Sequence, residues 1–487
     1  MLAIVLSGCG TTTYFAGRTL PPSGLANRVL IAIQNPSPSV SGSMQFVDAY
    51  YDIRFKYNSN TVNPSFSISS YSGKLPITIQ NMPEEQRGAV YGAGDGSFDL
   101  IDYSQETTSS SSTVNGLTGL SSSIFISRTQ VFAVAANQSY SRLTVVNRST
   151  GGVYTFSLPG VYRVSMNPGG SVALAFVQNS NYAYYPLQLT SAQTIAYSGG
   201  PGTWPTGAVD CEPLNAPTWC LFQVLGSDGN PLSFNRPVKA LFSADGATAY
   251  ILNCGPECGG ANGSNPTANP LSNASITILP VAPMIFLLGQ QSGLLPTQSA
   301  ISTNCATSGT LSGCSIPVPG GASNGLVDAS TLYVVGQQPQ QIQGQTFFGG
   351  NLSVVNLASS TASAPIPISD GAPGVRSRMI LADDNTLWIG MTQCINGVRF
   401  ASGRPDGCLT MVNTNTNAAT LMPYNGDATG IAAVTGLHKI YTAEGGQVYI
   451  HSTVDGSMID NQYVTVTGTA YDVAYMDGLT DDNNTVY

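Results

Sequence analysis

Charge is what this sequence has least of. Only 9% of its 487 residues are Asp, Glu, Lys or Arg, against roughly 25% in ordinary soluble proteins. The 17 Lys and Arg are scattered and the net charge is −9. That excludes the basic stripe of a nucleic-acid-binding protein and a polybasic attachment to anionic lipid. Histidine is scarcer still, with only His438 and His451, so most Ser-His, Cys-His and His-zinc chemistry has almost nowhere to sit. His451 falls in a strand pattern, Val448–Ser452, and His438 at a hairpin turn. Nothing in the sequence sets a serine or carboxylate beside either, and both are expected to be structural. No Gly-x-Ser-x-Gly elbow with triad context, Walker loop or GxGxxG opening a helix stands out. No segment is long and apolar enough to span a bilayer.

What replaces charge is Ser, Thr, Asn, Gln and 53 Gly, on a hydrophobic content of 42%. This suits a real core under a neutral, hydrogen-bonding surface, and strands and turns rather than helices, whose wet faces usually carry Glu, Lys and Arg. The first eight residues are apolar and small, and Leu6-Ser7-Gly8-Cys9 resembles the bacterial lipobox, although the basic n-region is missing and the h-region is short. The resemblance implies residues 1–8 as a signal remnant, a lipid on Cys9 and a linker over 9–27. The chain would then be exported and held to a membrane of the cell envelope, at the outer membrane or cell surface.

Setting Cys9 aside, eight cysteines remain and fall into local pairs: Cys211/Cys220, Cys254/Cys258, Cys305/Cys314 and Cys394/Cys408. An even count in an exported chain reads as disulfides, and nearest-neighbour bridging is our choice among many connectivities. A tetracysteine zinc site would want two Cys-x-x-Cys pairs, which do not occur.

An internal repeat outranks any single motif. Its clearest copy alternates over Tyr162–Met166, turns at Asn167-Pro168-Gly169-Gly170, runs apolar over Val172–Val177, and continues with strands expected at Tyr182–Leu187 and Gln193–Ser198. Four strands joined by turns make one propeller blade. The same grammar recurs at Val238–Ser243, Ala244-Asp245-Gly246 and Thr248–Asn253, and at Arg378–Leu381, Ala382-Asp383-Asp384-Asn385 and Thr386–Gly390. Asp-Gly and Gly-Gly supply the positive φ of tight hairpins. Third strands end in Asp or Asn, at Asp48, Asp102, Asn147, Asn356 and Asn413, and each such side chain is expected to open a turn by accepting from backbone amides.

These units resemble the YVTN-type repeats of bacterial surface propellers, a group that includes lactonase-like proteins. Ser243–Gly246 through Tyr250–Asn253 is the best match, within a patchy likeness over about residues 28–478. The resemblance implies an all-β propeller and says little about activity. Inner strands starting near Lys74, Leu117, Val161, Val238, Ser323, Arg378, Thr429 and Ala470 give eight blades, with seven as the alternative. The segment Ala470–Tyr475 has no strands after it, and Val29–Ser72 lacks an inner strand before it. The C-terminal strand is therefore expected to complete the N-terminal blade.

Insertions at about 199–236, 255–273 and 282–322 are expected to be disulfide-bearing loops, and 479–487 a tail. Trp204 and Trp219 in the first insertion are candidate partner contacts. The oxygen-rich run Asp477–Asn484 suggests calcium without the spacing of an EF-hand; otherwise no cofactor is expected. The function read from the sequence is an envelope-anchored, non-catalytic binding or scaffold propeller displaying loops to a protein or glycan. The alternative is a propeller hydrolase of lactonase type with a metal in its channel.

Overall fold

The computed structural model describes residues 17–54, 65–108, 117, 121, 123–129, 131–226, 230–258, 274–282, 315–342, 345–368, 375–393, 406–423 and 425–479. The fold is an eight-bladed β-propeller of antiparallel sheets.

The first sheet joins β1 (Arg28–Gln34) and β2 (Ser43–Asp48), and the second β3 (Pro76–Met82), β4 (Arg87–Gly92), β5 (Ser97–Asp102) and β6 (Thr107–Thr108). The third runs β7 (Ser123–Ile126), β8 (Phe132–Asn137), β9 (Arg142–Asn147) and β10 (Gly152–Ser157). The fourth has five strands: β11 (Val161–Met166), β12 (Ala173–Val177), β13 (Ala183–Gln188), β14 (Ala208–Glu212) and β15 (Trp219–Gln223), with β15 between β13 and β14. The fifth is β16 (Pro237–Phe242), β17 (Thr248–Asn253), β18 (Ser275–Pro280) and β19 (Ser315–Pro317). The sixth is β20 (Asn324–Asp328), β21 (Thr331–Ile342), β22 (Gln345–Asn356), β23 (Thr361–Ala362) and, also on β22, β24 (Ile366–Pro367). The seventh is β25 (Val375–Ala382), β26 (Thr386–Thr392), β27 (Asp406–Asn413) and β28 (Ala418–Pro423), and the eighth β29 (Ala428–Val434), β30 (Lys439–Glu444), β31 (Gln447–Ser452) and β32 (Met458–Val464). The last strand, β33 (Thr469–Tyr475), returns to the first sheet and pairs β1 from Val29↔Tyr475 to Gln34↔Thr469. The N-terminal blade is thus completed by the C-terminus, as expected.

By contact density the chain divides into two compact units, one of residues 1–115, 380–387 and 428–486, the other mainly of 116–379 and 388–427. In the first, Val29, Ile31 and Ile33 of β1 pack with Ala443, Val448 and Val473. In the second, alternate residues of β12 divide between two cores: Leu174 and Phe176 join Tyr185 and Ile251, whereas Ala173 and Ala175 join Val134 and Trp219. A strand buried on both faces explains the continuous apolar runs after each turn.

The turns follow their chemistry. Gly170 and Gly246 have φ of 66° and 67°, the left-handed region that a Cβ disfavours. A Cβ on Gly170 would also lie 2.1 Å from that of Ser127. Each Asp or Asn ending a third strand accepts from amides downstream: Asp48 from Tyr50, Asp102 from Ser104, Asn147 from Ser149, Asn356 from Ser359 and Asn413 from Asn415, at 2.9 to 3.1 Å.

The first insertion departs from expectation. Gln193–Ser198 is not a strand; Ser191–Ala196 forms the short helix α1, started by a capping box between Thr190 and Gln193. The outer strands of this blade come instead from within residues 199–236, as β14 and β15. Trp219-Cys220-Leu221-Phe222 is a fully buried run that only a sheet position satisfies. Likewise Ser315–Pro317, inside the third insertion, is the outer strand β19. Most of 255–273 and 282–322 lies outside the described residues, as do Cys9, the rest of the N-terminal segment before residue 17, and Thr480 onward.

Candidate functional site

Three first strands of the first unit, β3, β29 and β33, end beside one another and enclose a cavity of about 480 Å³. Its wall is Ile431, Ala432 and Ala433 of β29, Val473 and Ala474 of β33, and Ile380. The turn after β29 supplies Thr435, Gly436 and Leu437, and the chain after β33 supplies Asp477, Gly478 and Leu479. Small residues make the space: Ala432, Ala433 and Ala474 stand where longer side chains would close it. Leu479 is 51% exposed at the mouth.

Apart from the exposed Thr435, the polar side chains of the lining make bonds within the protein. Tyr475 Oη donates to Asn27 Oδ1 at 2.9 Å. Asn81 Nδ2 donates to the Tyr475 carbonyl and Asn81 Oδ1 accepts from Tyr103 Oη, both at 2.7 Å. Arg18 bridges the rim, reaching the Gly478 carbonyl at 3.0 Å and the Pro83 carbonyl at 2.9 Å. Asp477, the one carboxylate of the lining, is 1% exposed and gripped by Arg28: Nη2 to Oδ1 at 2.6 Å, Nε to Oδ2 at 3.0 Å and the backbone N–H to Oδ2 at 2.7 Å.

Arg28 is fully buried, and its Nη1 also meets Glu106 at 2.9 Å and the Tyr103 carbonyl at 2.7 Å. Burial works against its charge, but the bonds and fields of Asp477 and Glu106 prevail and hold it above the usual arginine range. A carboxylate clamped by such a cation is a poor general base. Its role is to tie β1 to the chain after β33. Asp477 therefore serves this lock, and the rest of the proposed calcium run lies outside the described residues.

Both histidines sit beside carboxylates, contrary to the sequence reading, because sheet pairing and turns bring distant residues together. His451 Nε2 lies 3.1 Å from Glu444 Oε1, and both side chains are 1% exposed. Thr442 Oγ1 donates to the same oxygen at 2.5 Å. His438 is 58% exposed, with Nδ1 at 2.8 Å from Asp384 Oδ2. Its hydrogen bond and field from Asp384 raise the imidazole above its ordinary range. Asp384 is lowered, first by the Thr453 hydroxyl and then by His438. Asp383 accepts from the amides of Gly436 and His438 at 2.7 and 3.1 Å, fixing the turn that lines the cavity. Among the described residues no group of three or more His, Cys, Asp or Glu is placed to hold a metal ion.

The other named residues are structural in place. Cys211 is bridged to Cys220, its direct partner in the β14–β15 register, and Cys254 to Cys258. Cys408 is also disulfide-bonded; its expected partner Cys394, with Cys305 and Cys314, lies outside the described residues. Trp219 is fully buried, with its ring 5.8 Å from Phe132 and 5.3 Å from Tyr154. The expectation of a partner contact therefore fails for Trp219, which is core because its insertion is sheet. Trp204 is half-buried against the same unit's core, and its Nε1 donates to the Leu214 carbonyl at 3.2 Å.

Fold and cavity together define a propeller with a ligand-sized, mainly apolar pocket at the ends of its first strands. No family model and no curated protein matches the sequence. Among solved structures, the chain is similar to the dihydro-heme d1 dehydrogenase NirN in complex with DHE, at 10% identity and a TM-score of 0.48 over 93% of this chain and 76% of that one. It is similar to Kuenenia stuttgartiensis hydrazine synthase at 13% identity and a TM-score of 0.43, over 74% of this chain and 90% of that one. It is also similar to the Pseudomonas aeruginosa periplasmic gluconolactonase PpgL, at 14% identity and a TM-score of 0.38, over 92% and 98% of the two chains. At these scores the likenesses carry no inference about activity.

Proposed function

We propose that this chain is an exported, envelope-anchored binding protein without chemistry of its own, and that it grips a partner through an apolar group seated in the cavity of the first unit. The observation that carries the reading is the lining: aliphatic walls, with Asn27, Asn81 and Tyr475 bonded within the protein, Asp477 locked by Arg28, and only the exposed Thr435 hydroxyl added at the turn. Pockets of this size and character hold ligands chiefly by apolar burial. The Cys211–Cys220 and Cys254–Cys258 bridges support an oxidising compartment. Lipid on Cys9 would supply the anchor. A lactone hydrolase would need a metal cluster or an acid–base pair, and the described cavity residues provide a clamped carboxylate and a bonded phenol instead.

A neutral solvatochromic naphthalene dye tests the pocket. The folded protein should bind one equivalent with a blue-shifted emission, and Ala433→Trp, which fills the space, should abolish the shift while the far-UV spectrum stays unchanged. Undiminished dye binding by a folded Ala433→Trp variant would remove the cavity from consideration.

A further inference from the structure

The occupant of the cavity can be narrowed from what surrounds its mouth. We infer that the cavity takes the aliphatic chain of an anionic amphiphile, a fatty acid or a membrane phospholipid, with the carboxylate or phosphate held at the rim by Arg18. This occupant deepens the binding role proposed above and depends on it.

The walls set the tail. Ile380, Ile431, Ala432, Ala433, Val473 and Ala474 present only carbon side chains. A polar group drawn among them would lose its water and gain no side-chain partner. The carboxylate of the lining, on Asp477, is already neutralised by Arg28. An α-helix with its side chains is about 10–12 Å across, so roughly one turn would fill a space of 480 Å³. A single hydrocarbon chain enters the same space lengthwise.

The rim sets the head. Arg18 Nη1 donates to the Gly478 carbonyl at 3.0 Å, and Nη2 to the carbonyls of Pro83 at 2.9 Å and Glu84 at 3.4 Å. Gly478 and Pro83 both line the cavity. These bonds fix the guanidinium across the mouth and, being to carbonyls, leave its positive charge in place. Arg18 is half-buried, whereas Glu84 and Glu85 on the same rim are exposed and screened by water. Leu479, next to Gly478, adds apolar surface where a chain would enter. An oily space with a fixed cation at its edge matches a molecule with an oily tail and an anionic end, and a guanidinium fork suits carboxylate and phosphate alike.

The N-terminal segment sets the source. Arg18 is nine residues after Cys9, and nine residues of chain reach no further than about 30 Å. A lipid on Cys9 would hold the mouth within that distance of a bilayer, where such amphiphiles are concentrated.

The test uses the full chain with Cys9→Ser, so that neither detergent nor an attached lipid competes for the cavity. Octanoate, decanoate and dodecanoate, each below its micelle concentration, are titrated against the bound naphthalene dye, beside decanol and dioctanoyl phosphatidylglycerol. Decanoate should displace the dye saturably, with affinity rising about fourfold for each added methylene across the series. It should bind about fivefold or more tightly than decanol, and Arg18→Gln should bring it down to the level of decanol. Displacement by decanoate alone assigns a free fatty acid, and by phosphatidylglycerol as well a membrane lipid. If Arg18→Gln does not fold, the comparison of decanoate with decanol decides. Equal affinity for those two, an affinity indifferent to tail length, or a folded Arg18→Gln variant that still prefers decanoate overturns the proposal. If the dye binds and no amphiphile displaces it, the cavity stands and this occupant falls; if the dye does not bind, both fall.

Discussion

Arg28 on β1 in one unit and Lys239 on β16 in the other are both buried cations, yet they are treated in opposite ways. Arg28 is met by two carboxylates, Asp477 and Glu106, and is held above its usual pKa. Lys239 is met by an amide oxygen and by the fields of two guanidinium groups, and is held far below its own. Burial alone thus does not decide how a cation is held. The groups around it do: two carboxylates favour the Arg28 charge, whereas burial and two guanidinium groups weigh against the Lys239 ammonium.

The sharpest way to break this comparison is Arg28→Met. It strands Asp477 and Glu106 in the interior and should cost about 3–5 kcal/mol, read from denaturant midpoints. Lys239→Met is expected to be neutral or stabilising by up to ~2 kcal/mol, because it removes a buried amine whose charged form burial and two guanidinium groups disfavour. A large loss there would mean that Lys239 is also a lock. Removing the Cys211–Cys220 bridge should come next, at about 2 kcal/mol, since the closed loop is short; denaturant midpoints of the Cys211→Ala/Cys220→Ala variant against the unchanged protein, both without reductant, measure it. Gly170→Ala, which meets Ser127 and forces a left-handed Cβ, should lose about 1–3 kcal/mol.

The smallest effect concerns His438. Its pKa is raised by Asp384, so the His438–Asp384 contribution is complete below the ordinary imidazole value near 6.5 and is lost as pH rises through the raised one. Asp384 is depressed, so its share is lost only in acid, as pH falls through its lowered pKa. NMR titration should show the His438 midpoint returning toward 6.5 in Asp384→Asn; an unmoved midpoint would remove the pair.

Local chemistry was legible where one stretch of chain decides it. The Asp or Asn at each third-strand end, the glycines of the hairpins and the two described bridges, Cys211–Cys220 and Cys254–Cys258, follow from short-range rules and sit where those rules put them. The outer strands β14 and β15 were misread because a Pro- and Gly-rich stretch masks the buried run at Trp219–Phe222. The capping box at Thr190–Gln193 was there to identify α1, but the repeat suggested a strand. The sites were not legible at all. Arg28 and Asp477 are 449 residues apart. The same holds for the carboxylates beside His438 and His451.

The pairing of β1 with β33 has a consequence for biogenesis. At about 5–20 residues per second, roughly 20 to 90 seconds of synthesis separate the two strands. Through that interval Val29–Ile33 offers an open, greasy edge, the kind of surface that invites intermolecular pairing. A holdase that shields this edge until translation finishes would raise the yield of native protein, and moving the β33 segment to the front of the chain by circular permutation would lessen the need for one.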